Sequence, residues 1–227
     1  MKKQGITQEG LKIIACGAML TDHIGAVLVP EVGLRIVGRL AFPIYCFLLA
    51  EGAARTRNPK KYGLRLALGA VLSEIPFDLL FFGGLTWHHQ NVMVTLLLGF
   101  LMLMVIRQKG SAMRKLLAAA VFSGAAELLG ADYGGLGVLM IALFAVTRER
   151  KDRTALRTVG LTVICWLLGG YGIRLGVLQV PVQMFAVCTM IPIACYSGAK
   201  ATMSKAVQWV FYLFYPLHLM ILLILTS

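Results

Sequence analysis

The sequence has few charged residues and no cysteine or histidine pattern typical of a metal site. Only 14% of its 227 residues are charged, whereas 59% are hydrophobic, a balance far from that of a soluble domain. The five cysteines lie singly inside apolar runs with no CxxC pair, which argues against disulfides and against zinc. Residues 1–12 are polar and do not resemble the start of a secretory signal peptide, so we expect no cleaved leader.

Nine apolar segments are long enough, or nearly long enough, to cross a lipid bilayer. A spanning helix needs about 20 mostly apolar residues, and somewhat fewer where the bilayer thins. We therefore predict an all-α, polytopic membrane bundle that forms one domain over residues 1–227. The predicted spans are 13–29, 34–53, 62–82, 91–106, 113–129, 134–146, 156–168, 180–196 and 207–225.

Positive charge alternates between the predicted loops. All but three of the 22 lysines and arginines precede span one or follow spans two, four, six and eight. The positive-inside rule assigns that side to the cytoplasm, so the N-terminus is expected inside and the C-terminus outside. The net charge of +12 thus follows from topology. Because no nucleic-acid-binding motif accompanies it, we expect no nucleic-acid partner.

Ionisable residues also occur inside the predicted spans, at similar depths in the outer half. A charged group at that depth costs several kcal/mol unless it is paired or hydrated. The sequence therefore predicts one shared polar pocket, with Asn91, Glu127, Asp132 and Tyr133 at its external rim. The residues inside the spans are Asp22 and His23 in span one, Arg35 and Arg39 in span two, Glu74 and Asp78 in span three, and His218 in span nine.

Structural roles compete with functional ones at several of these positions. Arg39 can form an ion pair with Asp22 or with Glu74 that only fixes helix packing, and Arg35 can snorkel to the external interface. A membrane histidine can simply bridge two helices. Asp22 is expected to orient Arg39 or His218, because adjacent helical residues project about 100° apart and Asp22 cannot readily orient His23.

Three further assignments are structural. Glu51 precedes Arg55 by four residues, which predicts a helix-end ion pair. His88 and His89 lie in a loop and are expected to be solvated. The glycine-rich residues 130–137 predict a tight external turn.

The chemistry that suits these residues is acyl transfer. Imidazole is the usual general base near neutral pH and can take a proton from an amine or hydroxyl that attacks a thioester. A guanidinium nearby can bind a substrate carboxylate or stabilise the oxyanion that develops at the carbonyl. His23 and Arg39 fit these roles, with Asp22, Glu74 and His218 as further catalytic candidates. A proton relay or an ion pathway would use the same residue types.

Four segments resemble the TraX family of membrane proteins. They are LKIIACGAMLTDHIGAVL at 11–28, GRLAFPIYCFLLAEG at 38–52, KKYGLRLALGAVLSEIPFD at 60–78 and DYGGLGVLMIALF at 132–144. Residues 215–219, YPLHL, resemble the last helix of acyltransferase-3 proteins. The DH histidine of the family matches His23 and its GR arginine matches Arg39, whereas Glu74 stands where the family pattern has glutamine.

The resemblance implies a transferase in a bacterial cytoplasmic membrane. The family includes a conjugation protein that acetylates a pilin N-terminus, so acetyl-CoA is the implied donor, with no metal. The basic residues that follow span two would hold its phosphates, although a positively charged cytoplasmic loop explains them equally well: Arg55, Arg57, Lys60, Lys61 and Arg65, with Tyr62 beside them. An external amine or hydroxyl would be the acceptor, contacted by Asn91, Asp78, Asp132 and Tyr133. A histidine-bound acyl group or a threaded pantetheine arm would carry the acetyl group outward. A small secondary transporter and a noncatalytic scaffold are the alternatives.

Overall fold

The computed structural model describes residues 5–175, 178–199 and 205–226. Within these ranges the chain is mostly helical, as the sequence predicts. The α-helices are α1 Gln8–Val27, α2 Val32–Gly38, α3 Ala41–Arg55, α4 Pro59–Phe82, α5 Val92–Ile106, α6 Ala112–Leu128, α7 Gly134–Val146, α8 Arg153–Leu168, α9 Met190–Ala194 and α10 Lys205–Thr226. Strands β1 Gly172–Leu175 and β2 Leu178–Pro181 and a 3₁₀ helix Val182–Thr189 lie between α8 and α9.

Side-chain caps fix the starts of four helices. The hydroxyls of Thr7 and Ser111 accept hydrogen bonds from the first turns of α1 and α6, at 3.2 Å each. Asn58 and Asn91 do the same for α4 and α5, at 3.0 Å each. These caps satisfy backbone N–H groups that have no partner inside a helix. Helix positions read from the sequence are therefore close to those observed.

Three helical segments among the described residues are long and apolar enough to span a membrane, namely Gln8–Val27, Val32–Arg55 and Trp209–Thr226. Val92–Ile106, Gly134–Val146 and Val182–Ala194 are apolar but shorter. Helix α4 exposes a stripe of large apolar side chains at helical spacing: Leu64, Leu68, Val71, Leu72, Ile75, Leu79 and Phe82. An exposed apolar stripe of this length is typical of a surface in contact with lipid.

The second predicted span is not one continuous helix. Helix α2 ends at Gly38 and α3 begins at Ala41, so Arg39 and Leu40 form a turn inside residues 34–53. Pro43 lies in the first turn of α3, where its missing N–H does not interrupt a helical hydrogen bond. The Thr189 hydroxyl lies 3.5 Å from the Leu40 carbonyl, to which it donates. Arg39 therefore occupies a helix break, which hydropathy alone did not predict.

The span predicted over residues 180–196 is helical from Val182 to Ala194, but it is not a regular α-helix throughout. This segment contains the end of β2, the 3₁₀ helix and the short α9. Strands β1 and β2 form an antiparallel hairpin in which Ile173 pairs with Val180, a feature that the sequence did not predict. Pro192 lacks the N–H that an α-helix would bond to the Cys188 carbonyl, so a continuous α-helix over this segment would lack one hydrogen bond.

The contacts divide the chain into two compact units. The first takes the described residues of Met1–Leu48 and Glu149–Phe211, and the second takes those of Leu49–Arg148 and Tyr212–Ser227. In the first unit α1 packs on α2, and α8 packs on the 3₁₀ helix. In the second unit α5 packs against α4, α6 and α7.

Candidate functional site

The first unit contains a compact cluster of charged residues around Asp22. The Asp22 carboxylate accepts a hydrogen bond from Arg35 Nη1 at 3.0 Å, and both of its oxygens accept from Arg39 Nη2. Arg35 Nη1 also donates to the Asp22 backbone carbonyl at 2.9 Å. The Asp22 side chain is 14% exposed and that of Arg39 is 15% exposed. One carboxylate therefore binds two guanidinium groups, and the three residues have a formal net charge of +1.

Arg39 is held on several sides. Its Nε donates to the Arg35 carbonyl at 3.3 Å and its Nη1 donates to Gln183 Oε1 at 3.3 Å. Gln183 is only 6% exposed and comes from the 3₁₀ helix. Of the two ion pairs that the sequence left open for Arg39, the structure contains the pair with Asp22.

Two glycines bring α1 and α2 close enough for this cluster to form. A Cβ atom on Gly38 would overlap the Asp22 carboxylate, and one on Gly25 would lie 2.7 Å from the Leu34 Cβ. These glycines belong to the DHIG and GRLAFP segments. Both motifs therefore have a packing role that is visible in the structure, in addition to any role in catalysis.

His23 lies half-buried on α1, directly after Asp22. Its neighbour in sequence thus carries the carboxylate that binds both guanidinium groups. No described residue in the chain belongs to a group of three or more His, Cys, Asp and Glu side chains suited to a metal ion. The guanidinium groups of this cluster can stabilise negative charge, and the imidazole of His23, the next residue in the chain, can transfer a proton.

The second unit contains a separate polar cluster on α4 and α5. Asn91 is fully buried, donates from Nδ2 to Glu74 Oε2, and donates from the same atom to the Ala70 carbonyl at 2.9 Å. Asp78 is 2% exposed, and its Oδ2 accepts from the Thr86 N–H at 2.9 Å. Glu74 Oε1 and Asp78 Oδ1 are buried without a hydrogen-bond partner among the described residues.

Tyr215 joins the same polar cluster from α10. It is buried and forms a hydrogen bond with the backbone of Val92. It also lies near enough to Glu74, Asp132 and Tyr133 to interact with them electrostatically. The structure therefore places the predicted rim residues Asn91, Asp132 and Tyr133 in the same unit as Glu74. Their proposed contact with substrate stays a prediction.

The predicted turn is present over residues 130–133, whereas residues 134–137 form the start of α7. Tyr133 has φ 65°, and Gly130 and Gly134 have φ 62° and 51°, all in the left-handed region. A Cβ atom on Gly130 would overlap the His88 carbonyl, which explains the need for glycine there. The Thr95 hydroxyl donates to the Asp132 carbonyl and ties the turn to α5.

His218 and the loop histidines have different surroundings. His218 is 4% exposed, and its Nδ1 lies 2.8 Å from the Phe214 carbonyl. A carbonyl can only accept, so Nδ1 carries the hydrogen and Nε2 is the basic nitrogen of the neutral ring. His88 is exposed, as predicted. His89 also lies in the loop but is half-buried, and its ring stacks on Phe77 with centroids 6.1 Å apart.

The predicted cofactor-binding residues occupy the start of α4. Arg57, Lys60 and Lys61 are exposed there. Arg65 is half-buried, with its guanidinium carbon 5.4 Å from the Tyr62 ring centroid and 5.3 Å from that of Tyr212. The side chains at the start of the helix are thus open to an anion, whereas Arg65 is held by two aromatic rings.

The predicted helix-end ion pair between Glu51 and Arg55 is confirmed, and a second arginine, Arg148, also binds Glu51. Glu51 Oε2 lies 2.7 Å from Arg55 Nη2, and its Oε1 lies 2.9 Å from Arg148 Nε. The Glu51 side chain is 9% exposed. A Cβ atom on Gly52 would lie 2.8 Å from the Tyr62 hydroxyl, so α3 and α4 approach closely beside this pair.

Sequence reasoning missed three participants in these clusters. Arg35 was expected to snorkel, but it shares the Asp22 carboxylate with Arg39. Gln183 lies in the segment that was predicted as a helix, and Tyr215 lies one turn from His218. The spacing of Arg35 and Arg39, four residues apart, was the signal that both could reach one partner.

Comparison with known proteins gives a consistent family assignment. The family model described as "TraX protein" matches residues 7–226. A protein of Dichelobacter nodosus named "Probable fimbrial assembly protein FimC, serogroup H1" is 31% identical over 240 residues, covering 93% of this chain and 92% of that protein. "Uncharacterized protein RP591" of Rickettsia prowazekii (strain Madrid E) is 37% identical over 93 residues, covering 40% of this chain and 34% of that protein. No solved structure matches this chain.

Proposed function

We propose that this chain, which belongs to the TraX family, is a multi-pass acetyltransferase of a bacterial cytoplasmic membrane. Acetyl-CoA in the cytosol is the donor, and an amine or hydroxyl group on the external side is the acceptor. His23 acts as general base or acyl carrier, and Arg39 beside Asp22 stabilises negative charge. The nine-span topology, with a cytoplasmic N-terminus and an external C-terminus, belongs to this proposal.

The observation that carries the proposal is the half-buried Asp22, Arg35 and Arg39 cluster next to His23. A carboxylate bound by two guanidiniums leaves one positive charge in a region where water is scarce. Fixed positive charge in such a place stabilises a developing oxyanion more strongly than it would in water.

The start of α4 supports the donor side of the proposal. Exposed Arg57, Lys60 and Lys61 lie at the N-terminus of α4, where their positive charges and the helix dipole favour anions. The phosphates of a coenzyme A group have the charge and the oxygen acceptors that such a surface binds. A solvated cytoplasmic loop explains the same residues. Donor binding therefore has to be tested separately, with variants of Arg57, Lys60 and Lys61.

The fimbrial assembly protein of Dichelobacter nodosus directs the search for the acceptor. That relative is similar over nearly its whole length and is named for fimbrial assembly. We propose that a subunit of a surface fibre, with its free N-terminal amine or an external hydroxyl, is the first acceptor to examine. Surface lipids and glycans are the next candidates.

The test uses purified protein in lipid nanodiscs with acetyl-CoA labelled on the acetyl group. Wild-type protein is expected to release label to water or to an added lysate acceptor. His23→Ala and Arg39→Ala are expected to lose this activity, whereas His88→Ala, at an exposed loop histidine, retains it. Label release that is equal in His23→Ala and wild type would contradict the assigned base.

A proton-coupled carrier is the second candidate function, favoured by the polar cluster on α4. Buried carboxylate oxygens without partners at Glu74 and Asp78 are typical of proton or ion pathways in membranes. The distinguishing measurement is proton flux into proteoliposomes without acetyl-CoA. Flux that disappears in Asp78→Asn and persists in His23→Ala would favour the carrier over the transferase.

A further inference from the structure

The two arginines of the Asp22 cluster differ in how many of their hydrogen-bond donors are occupied. Arg39 uses Nε, Nη1 and Nη2, which bind the Arg35 carbonyl, Gln183 and Asp22. Arg35 uses only Nη1, for the carboxylate and the backbone carbonyl of Asp22. Among the described residues, nothing accepts from Nε or Nη2 of Arg35. Arg39 is therefore the enclosed arginine of the cluster and Arg35 the open one.

Exposure agrees with this difference. The Arg35 side chain is 24% exposed, against 15% for Arg39. Asp22 neutralises one of the two positive charges and fixes Nη1 of Arg35 in place. The Nε and Nη2 donors of a guanidinium point along one edge, with the spacing that two oxygens of a carboxylate or phosphate require. The fixed geometry lowers the entropy cost of binding such a group.

We infer that the open edge of Arg35 is a binding site for an oxyanion, either a carboxylate or a phosphate, and that it selects acidic acceptors. The selection of acceptors rests on the proposed acetyl transfer, whereas the binding of the anion does not. Arg39 stays paired with Asp22 and holds the cluster together. Arg35 is then the residue that determines specificity.

A phosphate can come from a soluble acceptor or from a lipid headgroup, so the experiment has two arms. In the first arm, full-length protein in a neutral detergent is titrated with sodium phosphate or sodium acetate, without acetyl-CoA. Sodium chloride at equal ionic strength is the reference, and the melting temperature is the readout. In the second arm, nanodiscs of phosphatidylcholine alone are compared with nanodiscs that also contain phosphatidylglycerol.

The site predicts a saturable rise in the melting temperature of wild-type protein with acetate or phosphate. Arg35→Gln is expected to weaken binding of the probe at least about tenfold, the loss expected for a charge-assisted hydrogen bond. Arg35→Lys keeps the charge but loses the paired donors, so acetate binding weakens while the protein stays folded. Arg174→Gln, at an exposed arginine of β1, retains wild-type binding.

Equal responses to acetate, phosphate and chloride would overturn the inference, as would equal responses of Arg35→Gln and Arg174→Gln. If Arg35→Gln fails to fold, the comparison of Arg35→Lys with wild type decides. Stabilisation by phosphatidylglycerol that needs Arg35, without any effect of the soluble anions, would overturn the selection of acceptors. Anion binding in a protein that transfers no acetyl group would support the site and refute only the proposed transfer.

Discussion

The ion pair between Asp22 and Arg39 is expected to show strong energetic coupling. Asp22→Ala leaves Arg39, whose side chain is 15% exposed, without its carboxylate. Removing one partner of a buried pair costs about 3–5 kcal/mol, and the residual exposure places this variant near the lower value. Arg39→Met removes the second charge, and Asp22 keeps its bond to Arg35 at 3.0 Å. We expect that variant to cost less than Asp22→Ala.

The double variant Asp22→Ala with Arg39→Met contains no unpaired charge at position 39. Its loss of stability should therefore be smaller than the sum of the two single losses, by about 1–3 kcal/mol for residues in direct contact. The assay is unfolding in mixed micelles of mild detergent and dodecyl sulfate, followed by circular dichroism. Asp22→Ala combined with Arg174→Met is the control pair and is expected to be additive. Additive losses for Asp22 and Arg39 would refute the assigned pair.

Three further comparisons test the packing and the polar clusters through the free energy of unfolding. Gly38→Ala introduces a Cβ atom against the Asp22 carboxylate and should cost about 1–3 kcal/mol, whereas Gly17→Ala, with open space around it, should not destabilise. Asp78→Asn removes a partly unpaired charge and keeps an acceptor, so it should be at least as stable as wild type, whereas Asp78→Ala should lose about 1–3 kcal/mol. Glu51→Gln breaks two ion pairs and should destabilise the protein, whereas Asp152→Asn, in an exposed pair, should cause no measurable change. Equal effects within any of these matched pairs would contradict its explanation.

Hydropathy predicted the helices well and their interruptions poorly. Helix α7 covers residues 134–146 as predicted, because a continuous apolar run between turn residues has few alternative structures. The break at Arg39 and the 3₁₀ helix before α9 were missed. The mean hydropathy of a segment does not show where a single residue interrupts the hydrogen bonds of a helix. The hairpin of β1 and β2 was missed because it lies mostly between two predicted spans, where hydropathy does not distinguish strands from loops.

The candidate site could be predicted as a set of residues but not as a set of partners. The cost of burying charge identified Asp22 and Arg39 from the sequence alone. Which carboxylate binds which guanidinium depends on helix contacts that spacing does not determine. The roles of Gln183 and of the open edge of Arg35 became visible only when the bonds of each nitrogen were assigned.

The measurement that tests the central claim most directly is mass spectrometry of products formed from isotopically labelled acetyl-CoA. Membranes that contain wild-type protein or His23→Ala are incubated with the labelled donor and with external peptides, glycans and lipids. The proposed function predicts an external product that carries the labelled acetyl group with wild-type protein and not with His23→Ala. The absence of such a product with folded wild-type protein, or its undiminished formation by His23→Ala, would contradict the account.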